Sequence, residues 1–182
     1  VDGVSVGYSI FARETDYDQI NVSSFSTNSK GANVNWGYPL SETDRIGFGF
    51  GYESLDIQSG YYSSGVIRDF IDDNGSEFGV FNVNLSWSRS TLNRGMFATR
   101  GTSQRVGLNL ALPGSDMEYY KATYKGQYLR GLTRSLTLKL RTDLGLGESY
   151  GDTTQLPFFK NFYGGGFGSV RGFERNSLGP QD

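Results

Sequence analysis

Apolar and polar residues alternate in seven separate runs along this chain, each of 6 to 11 residues, where a tilted membrane strand needs about 9–11. The runs cover residues 4–10, 33–38, 46–52, 81–88, 106–112, 120–128 and 136–146. In the last and most regular run, for example, Leu138 and Leu140 flank Lys139. Because successive side chains of a β-strand point to opposite faces, this period of two predicts seven strands, each with one apolar face.

The connections between the runs differ in length. Residues 12–31 and 54–77 are long and polar, 89–103 are intermediate, and 39–44, 113–118 and 130–134 are short. Outer-membrane barrels have short periplasmic turns and long extracellular loops, which would place 12–31, 54–77, 113–118 and the segment from 149 onward outside the cell. The short connection at 113–118 and the 15-residue connection at 89–103 fit this rule poorly. A soluble sandwich of two sheets shows the same alternation and stays open as an alternative.

The composition narrows the possible functions. Gly accounts for 26 residues and aromatic residues for 15%, which fits a barrel with aromatic girdles, and no apolar run approaches the roughly 18 residues of a spanning helix. The chain has no Cys and no His, which excludes thiol nucleophiles, histidine bases and thiolate or imidazole metal sites. None of these kinds of catalytic or metal site is therefore expected. The net charge of -2 gives no indication of nucleic-acid binding.

One long connection contains a cluster of oxygen-bearing side chains, at Asp69, Asp72, Asp73, Asn74 and Glu77. Their spacing differs from that of the calcium loop D-x-[DN]-x-[DN]-G. We therefore expect a solvated loop that turns at its Asn-Gly pair, and no metal site.

The chain closes with a segment rich in glycine and aromatic residues, in which residues 156–173 read LPFFKNFYGGGFGSVRGF. This segment resembles the sixth extracellular loop of the Omp85 family of outer-membrane barrels, whose hallmark is Val-Arg-Gly-Phe, here Val170, Arg171, Gly172 and Phe173. Two further stretches, 92–102 and 113–121, are similar to the branch of that family that assembles outer-membrane proteins. Together with the order of the strands, the resemblance covers essentially the whole chain.

The resemblance implies an all-β fold, an antiparallel transmembrane β-barrel segment of about seven strands from a sixteen-stranded barrel, matching its strands five to eleven. Residues 1–148 would form the partial barrel, and residues 149–182 the sixth extracellular loop, folded into the lumen. Seven strands cannot close their own sheet in lipid, so we expect a fragment of a longer protein. In the family the arginine of this loop reaches carboxylates on later strands, a role that suits the planar, permanently charged guanidinium of Arg171.

The resemblance also implies a noncovalent function in the outer membrane of a Gram-negative bacterium, namely the folding and insertion of other β-barrel proteins. The implied partners are the lipid bilayer, nascent outer-membrane proteins and accessory lipoproteins of an assembly complex, which bind domains outside this chain. The resemblance implies no enzyme activity, no catalytic residue, no metal, no cofactor and no nucleic acid. The alternatives are a polypeptide-translocation barrel of the same family, a passive porin and the soluble sandwich.

Two features of the predicted polar face each have two interpretations. The glycines at positions 47, 49 and 51 indicate either a local bend of the wall or a close approach by the inserted loop. The charged residues of the last run would either tune the passage of ions or help to hold the infolded loop. These charged residues are Lys139, Arg141 and Asp143.

Overall fold

The structure, a computed structural model, describes residues 3–17, 25–60, 65, 68, 71–72, 75–133, 135–151, 153 and 156–179. Its main elements are seven β-strands and a short 3₁₀ helix. They are β1 (Ser5–Asp16), β2 (Phe25–Pro39), β3 (Asp44–Ser59), β4 (Glu77–Ser90), β5 (Gly101–Ala111), β6 (Tyr119–Gly131), β7 (Thr137–Ser149) and the 3₁₀ helix η1 (Phe158–Lys160). None of the helical residues in the described ranges belongs to a helix long and apolar enough to cross a membrane.

The seven strands form one antiparallel sheet in chain order, β1-β2-β3-β4-β5-β6-β7. Each strand therefore pairs with its neighbour along the chain, as short hairpin connections allow. The register keeps like residues side by side: Phe48 pairs with Trp36 on one side and Leu85 on the other. The predicted all-β fold and the predicted antiparallel strands are confirmed.

One face of the sheet, which we call the apolar face, carries large hydrophobic side chains in the open. Ile10 is 90% exposed and Leu144 is 62% exposed, and Trp36 and Phe48 meet on this face with ring centroids 5.5 Å apart. Within the described ranges no second sheet packs on it. Because a soluble protein does not leave so large an apolar surface in water, this arrangement argues against the sandwich and for a surface that faces lipid.

The predicted ends of three strands are wrong. The segments 12–31 and 54–77, which we expect to be loops, contain the end of β1, the first part of β2 and the end of β3. The reason is a reversal of the alternation. Beyond Tyr52, the apolar residues Leu55 and Ile57 lie on the opposite face of β3, so the period of two continues while its phase changes.

The short connection between β5 and β6 has a structural role, because it supplies hydrogen-bond partners to β4. β4 begins at Glu77, but its pairing with β5 begins only at Asn82, so the first residues of β4 lack a strand partner on that side. Asp116 fills the gap: its N–H donates to the carbonyl of Gly79 (3.0 Å), and its carboxylate accepts from the N–H of Gly79 (2.6 Å). The Ser115 hydroxyl accepts from the N–H of Phe81 (3.0 Å), which completes the edge.

Candidate functional site: the loop docked on the polar face

The face opposite the apolar face, which we call the polar face, contains a buried hydrophobic cluster at one end. The cluster combines residues from five strands, β2 to β6, with the β5–β6 connection and η1, and Ile57 is only 2% exposed. Its buried members are Phe25, Leu55, Ile57, Phe78, Val80, Ala111, Met117, Tyr119 and Phe159. Leu55 and Ile57 belong to it because of the phase change in β3, which provides an apolar platform for the segment that follows β7.

Aromatic residues of η1 fasten the terminal segment to this platform. Phe159 is 7% exposed and belongs to the cluster, and the ring of Phe158 meets that of Phe25 edge-on, with centroids 4.7 Å apart. Tyr17 stacks on Phe25, with ring centroids 4.2 Å apart. Edge-to-face and offset-stacked pairs are the favourable arrangements of aromatic rings, so the contact adds to the hydrophobic effect.

Lys160, the last residue of η1, adds an ionic contact. Its ammonium lies 3.6 Å from the carboxylate of Glu53 on β3 and near the ring of Tyr119. Burial alone lowers the pKa of this lysine, but the proximity of Tyr119 and Glu53 outweighs burial and raises the pKa above its usual value. Lys160 is therefore charged at neutral pH, and its ion-pair partner is Glu53. The described strands carry two carboxylates on this face, Glu53 and Asp143.

A second lysine reaches the loop from the sheet. The ammonium of Lys121 on β6 donates a hydrogen bond to the carbonyl of Lys160 and lies 4.2 Å from the ring centroid of Phe162. Phe162 in turn covers two glycines of β7: a Cβ atom at Gly145 would lie 2.7 Å from its ring, and Gly147 is also within reach. These glycines let the loop approach the backbone of the sheet closely.

The glycines of β3 behave differently. A Cβ atom at Gly47 would meet Ser86, and Cβ atoms at Gly49 and Gly51 would meet Asn35 and Asn33. All three neighbours belong to adjacent strands. Of the two interpretations offered for this triplet, contact with the inserted loop is therefore wrong for β3, and the loop instead approaches the glycines of β7.

Replacing Gly145 by alanine is expected to displace Phe162 and to destabilise the docked loop by about 1–3 kcal/mol, because the added methyl group overfills the contact. Limited proteolysis of the folded full-length protein should then cut within residues 150–179 faster than in the parent. Gly7→Ala is the matched control, because Gly7 is on the same face and no heavy atom lies within 4 Å of its Cβ position. Equal cleavage of the two variants would contradict the assignment.

Arg141 connects β7 to the far part of the loop. Its guanidinium donates to the carboxylate of Asp143 (2.8 Å) and to the carbonyl of Gly168 (3.2 Å). The contact with Gly168 favours the loop-holding interpretation for this residue. Lys139 forms no hydrogen bond or ion pair within the described ranges, so the same interpretation does not extend to it.

The Val-Arg-Gly-Phe motif lies at the tip of a closed loop. Backbone hydrogen bonds in both directions join Gly164 and Leu178 (2.6 and 3.0 Å) at its base. At Gly165 a side chain would collide with the carbonyl of Glu174, 2.0 Å from the Cβ position. Gly172 has a φ of 91°, which explains why glycine follows Arg171.

The motif itself makes few contacts with this chain. Val170, Arg171, Gly172 and Phe173 are all exposed, and the guanidinium of Arg171 has no hydrogen-bond or ion-pair partner among the described residues. The role of these four residues therefore stays a prediction.

The described residues contain no group of three or more His, Cys, Asp or Glu side chains that could hold a metal ion. Of the acidic cluster named from the sequence, Asp69, Asp73 and Asn74 lie in the portion that the structure leaves undescribed.

Comparisons with known proteins agree on one family. Residues 1–182 match the Omp85 superfamily domain. The chain is 34% identical, over 99% of its length, to the outer membrane protein assembly factor BamA of Neisseria meningitidis serogroup B. It also superposes with a TM-score of 0.87 and 26% identity on the crystal structure of BamA from Haemophilus ducreyi lacking POTRA domains 1–3, across 98% of the chain. The chain spans 24% of the Neisseria protein and 36% of the solved Haemophilus chain.

Proposed function

Because the chain belongs to the Omp85 superfamily, we propose that it forms part of the wall, and the infolded loop, of a barrel that assembles other outer-membrane β-barrel proteins. The observation that carries the proposal is the 34% identity to an outer membrane protein assembly factor over 99% of the chain. The family is located in the outer membrane of Gram-negative bacteria, where the apolar face contacts lipid.

In this proposal residues 1–148 are wall and residues 149–182 are the sixth extracellular loop. The polar face then lines the water-filled interior, and η1 anchors the loop inside it. The docking of Phe159, the ion pair of Lys160 and the contact of Arg141 with Gly168 support this arrangement. They hold the loop at two places on the same face, one at η1 and one at Gly168.

The proposed activity is noncovalent, with no enzyme chemistry and no cofactor. Nascent outer-membrane proteins would pair with an open strand edge of the complete barrel, because unpaired backbone groups bind a neighbouring strand. The contribution of this chain is a stable wall and a fixed loop opposite that edge. Accessory lipoproteins would bind other domains of the parent protein.

Depletion of the full-length parent protein in its native cell tests this function. We expect the amounts of folded, heat-modifiable β-barrel proteins in the outer membrane to fall together. Loss of a secreted passenger polypeptide with normal barrel proteins would instead indicate the translocation function. Loss of small-solute uptake alone would indicate a porin. Either of these two results contradicts the proposal.

Arg171→Ala in the full-length protein is expected to weaken the interior docking of the loop tip, because hydrogen bonds to charged groups contribute about 1.5–3 kcal/mol each. The measurement is the yield of folded barrel proteins in cells that carry only the variant. Arg175→Ala, which removes an exposed guanidinium from the same loop, is the control. Normal yield with Arg171→Ala would remove the motif from the proposed mechanism.

A further inference from the structure

Three cations lie on one line across the polar face. The register pairs Arg45 with Ser88, Ser88 with Arg105, and Arg105 with Lys125, so these positions form one line across β3, β4, β5 and β6. We call Arg45, Arg105 and Lys125 the cationic row. All three residues are exposed.

The row lacks neutralising partners in the part of the chain that the structure describes. Arg105 and Lys125 stand directly opposite each other, an arrangement of like charges that destabilises a sheet. None of the three side chains forms a hydrogen bond or an ion pair there. The next position in the line is Asp143 on β7, but Arg141 already holds its carboxylate at 2.7 Å.

Small residues form the surface beside the row. The neighbouring line on the same face runs through Gly47, Ser86, Gly107 and Thr123 and ends at Gly145, which Phe162 of the docked loop covers. Adjacent strands lie about 4.8 Å apart, so the uncovered part of this line forms a shallow furrow roughly 14 Å long. On the other side of the row, a cavity of about 450 Å³ is lined by Ser88, Arg105, Lys125 and Arg141, among others.

We propose that the cationic row binds acidic stretches of extended polypeptide inside the barrel. The proposal rests on the proposed function only in requiring that the polar face lines the interior. A furrow of small side chains beside a line of unpaired cations accommodates an extended chain, and alternate carboxylates of that chain would face the cations. Lipid headgroups are disfavoured as ligands, because the row is on the face opposite the exposed leucines and aromatic residues.

The test uses the full-length protein in detergent micelles and a fluorescent decapeptide of alternating Glu and Ser, with a Gln-and-Ser decapeptide as the uncharged probe. The double variant Arg105→Gln/Lys125→Gln should weaken binding of the acidic peptide about tenfold at low salt and leave the uncharged peptide unaffected. In the parent, rising salt should weaken the binding of the acidic peptide. Arg105→Lys/Lys125→Arg, which keeps both charges, should bind like the parent.

A matched control removes two charges elsewhere. Arg94→Gln/Arg100→Gln in the exposed β4–β5 connection should leave peptide binding unchanged. A change of less than twofold in the row variant, an equal loss in this control, or displacement of the peptide by an equal concentration of inorganic phosphate would overturn the proposal. The heat-modifiability of each variant confirms a folded barrel. Cellular assembly of other barrel proteins is measured separately, so failure of the peptide site is distinguishable from failure of the proposed function.

Discussion

Phe159→Ala is expected to release the terminal loop from the sheet, with a loss of about 3–5 kcal/mol of docking free energy. The side chain of Phe159 is buried among residues of several strands, and alanine would leave a cavity beneath η1. The cavity would remain largely unfilled, because the platform is made of paired strands whose backbones cannot move together. The edge-on contact between Phe158 and Phe159, with centroids 5.2 Å apart, would also be lost.

Proteolysis from outside intact cells measures this release directly. With Phe159→Ala, residues 150–179 should become accessible to a protease that leaves the parent uncut, and assembly of other barrel proteins should fall. Phe167→Ala is the matched control, because Phe167 belongs to the same loop but is 93% exposed. If both variants resist the protease, the cluster does not hold the loop.

Leu144→Arg should reduce barrel stability by about 2–4 kcal/mol, the penalty for a cation on the lipid-facing side near the bilayer centre. Leu144 lies in the middle of β7 on the apolar face, between Thr142 and Leu146. Stability is measured as the urea concentration at which the full-length protein unfolds in lipid vesicles. Leu144→Phe keeps the surface apolar and should unfold at the parent's concentration. A tolerated arginine would mean that this face does not contact lipid.

The sequence was sufficient to predict which side chains of each run lie on the apolar face, because lipid on one side of a barrel wall and water on the other impose a period of two. In β7 the predicted apolar residues Leu138, Leu140 and Leu144 are all exposed on one face, as the alternation requires. The antiparallel arrangement of the strands followed from the resemblance to a barrel. The resemblance in the terminal segment, rather than composition, supplied the family.

The docking platform could not be predicted, because it depends on which strand residues the loop covers. Leu55 and Ile57 lie on the face of β3 where the alternation predicts polar residues. In a single sequence, such a change could equally mark the end of the strand or a change in what that face contacts. Ser115 and Asp116 look like ordinary turn residues, and their hydrogen bonds to β4 become visible only when the strand lengths are known. The aromatic pair before Lys160 was a signal that could have indicated an anchor.

The contact between Phe25 and Phe158 has a consequence for the order of folding. These rings come from opposite ends of the chain, and the platform beneath them requires β2 to β6 to be in register. Closing so long a stretch of chain is entropically unfavourable until the intervening hairpins have formed. The loop therefore docks last during biogenesis. Its protection from cleavage indicates that the strands beneath it have already paired.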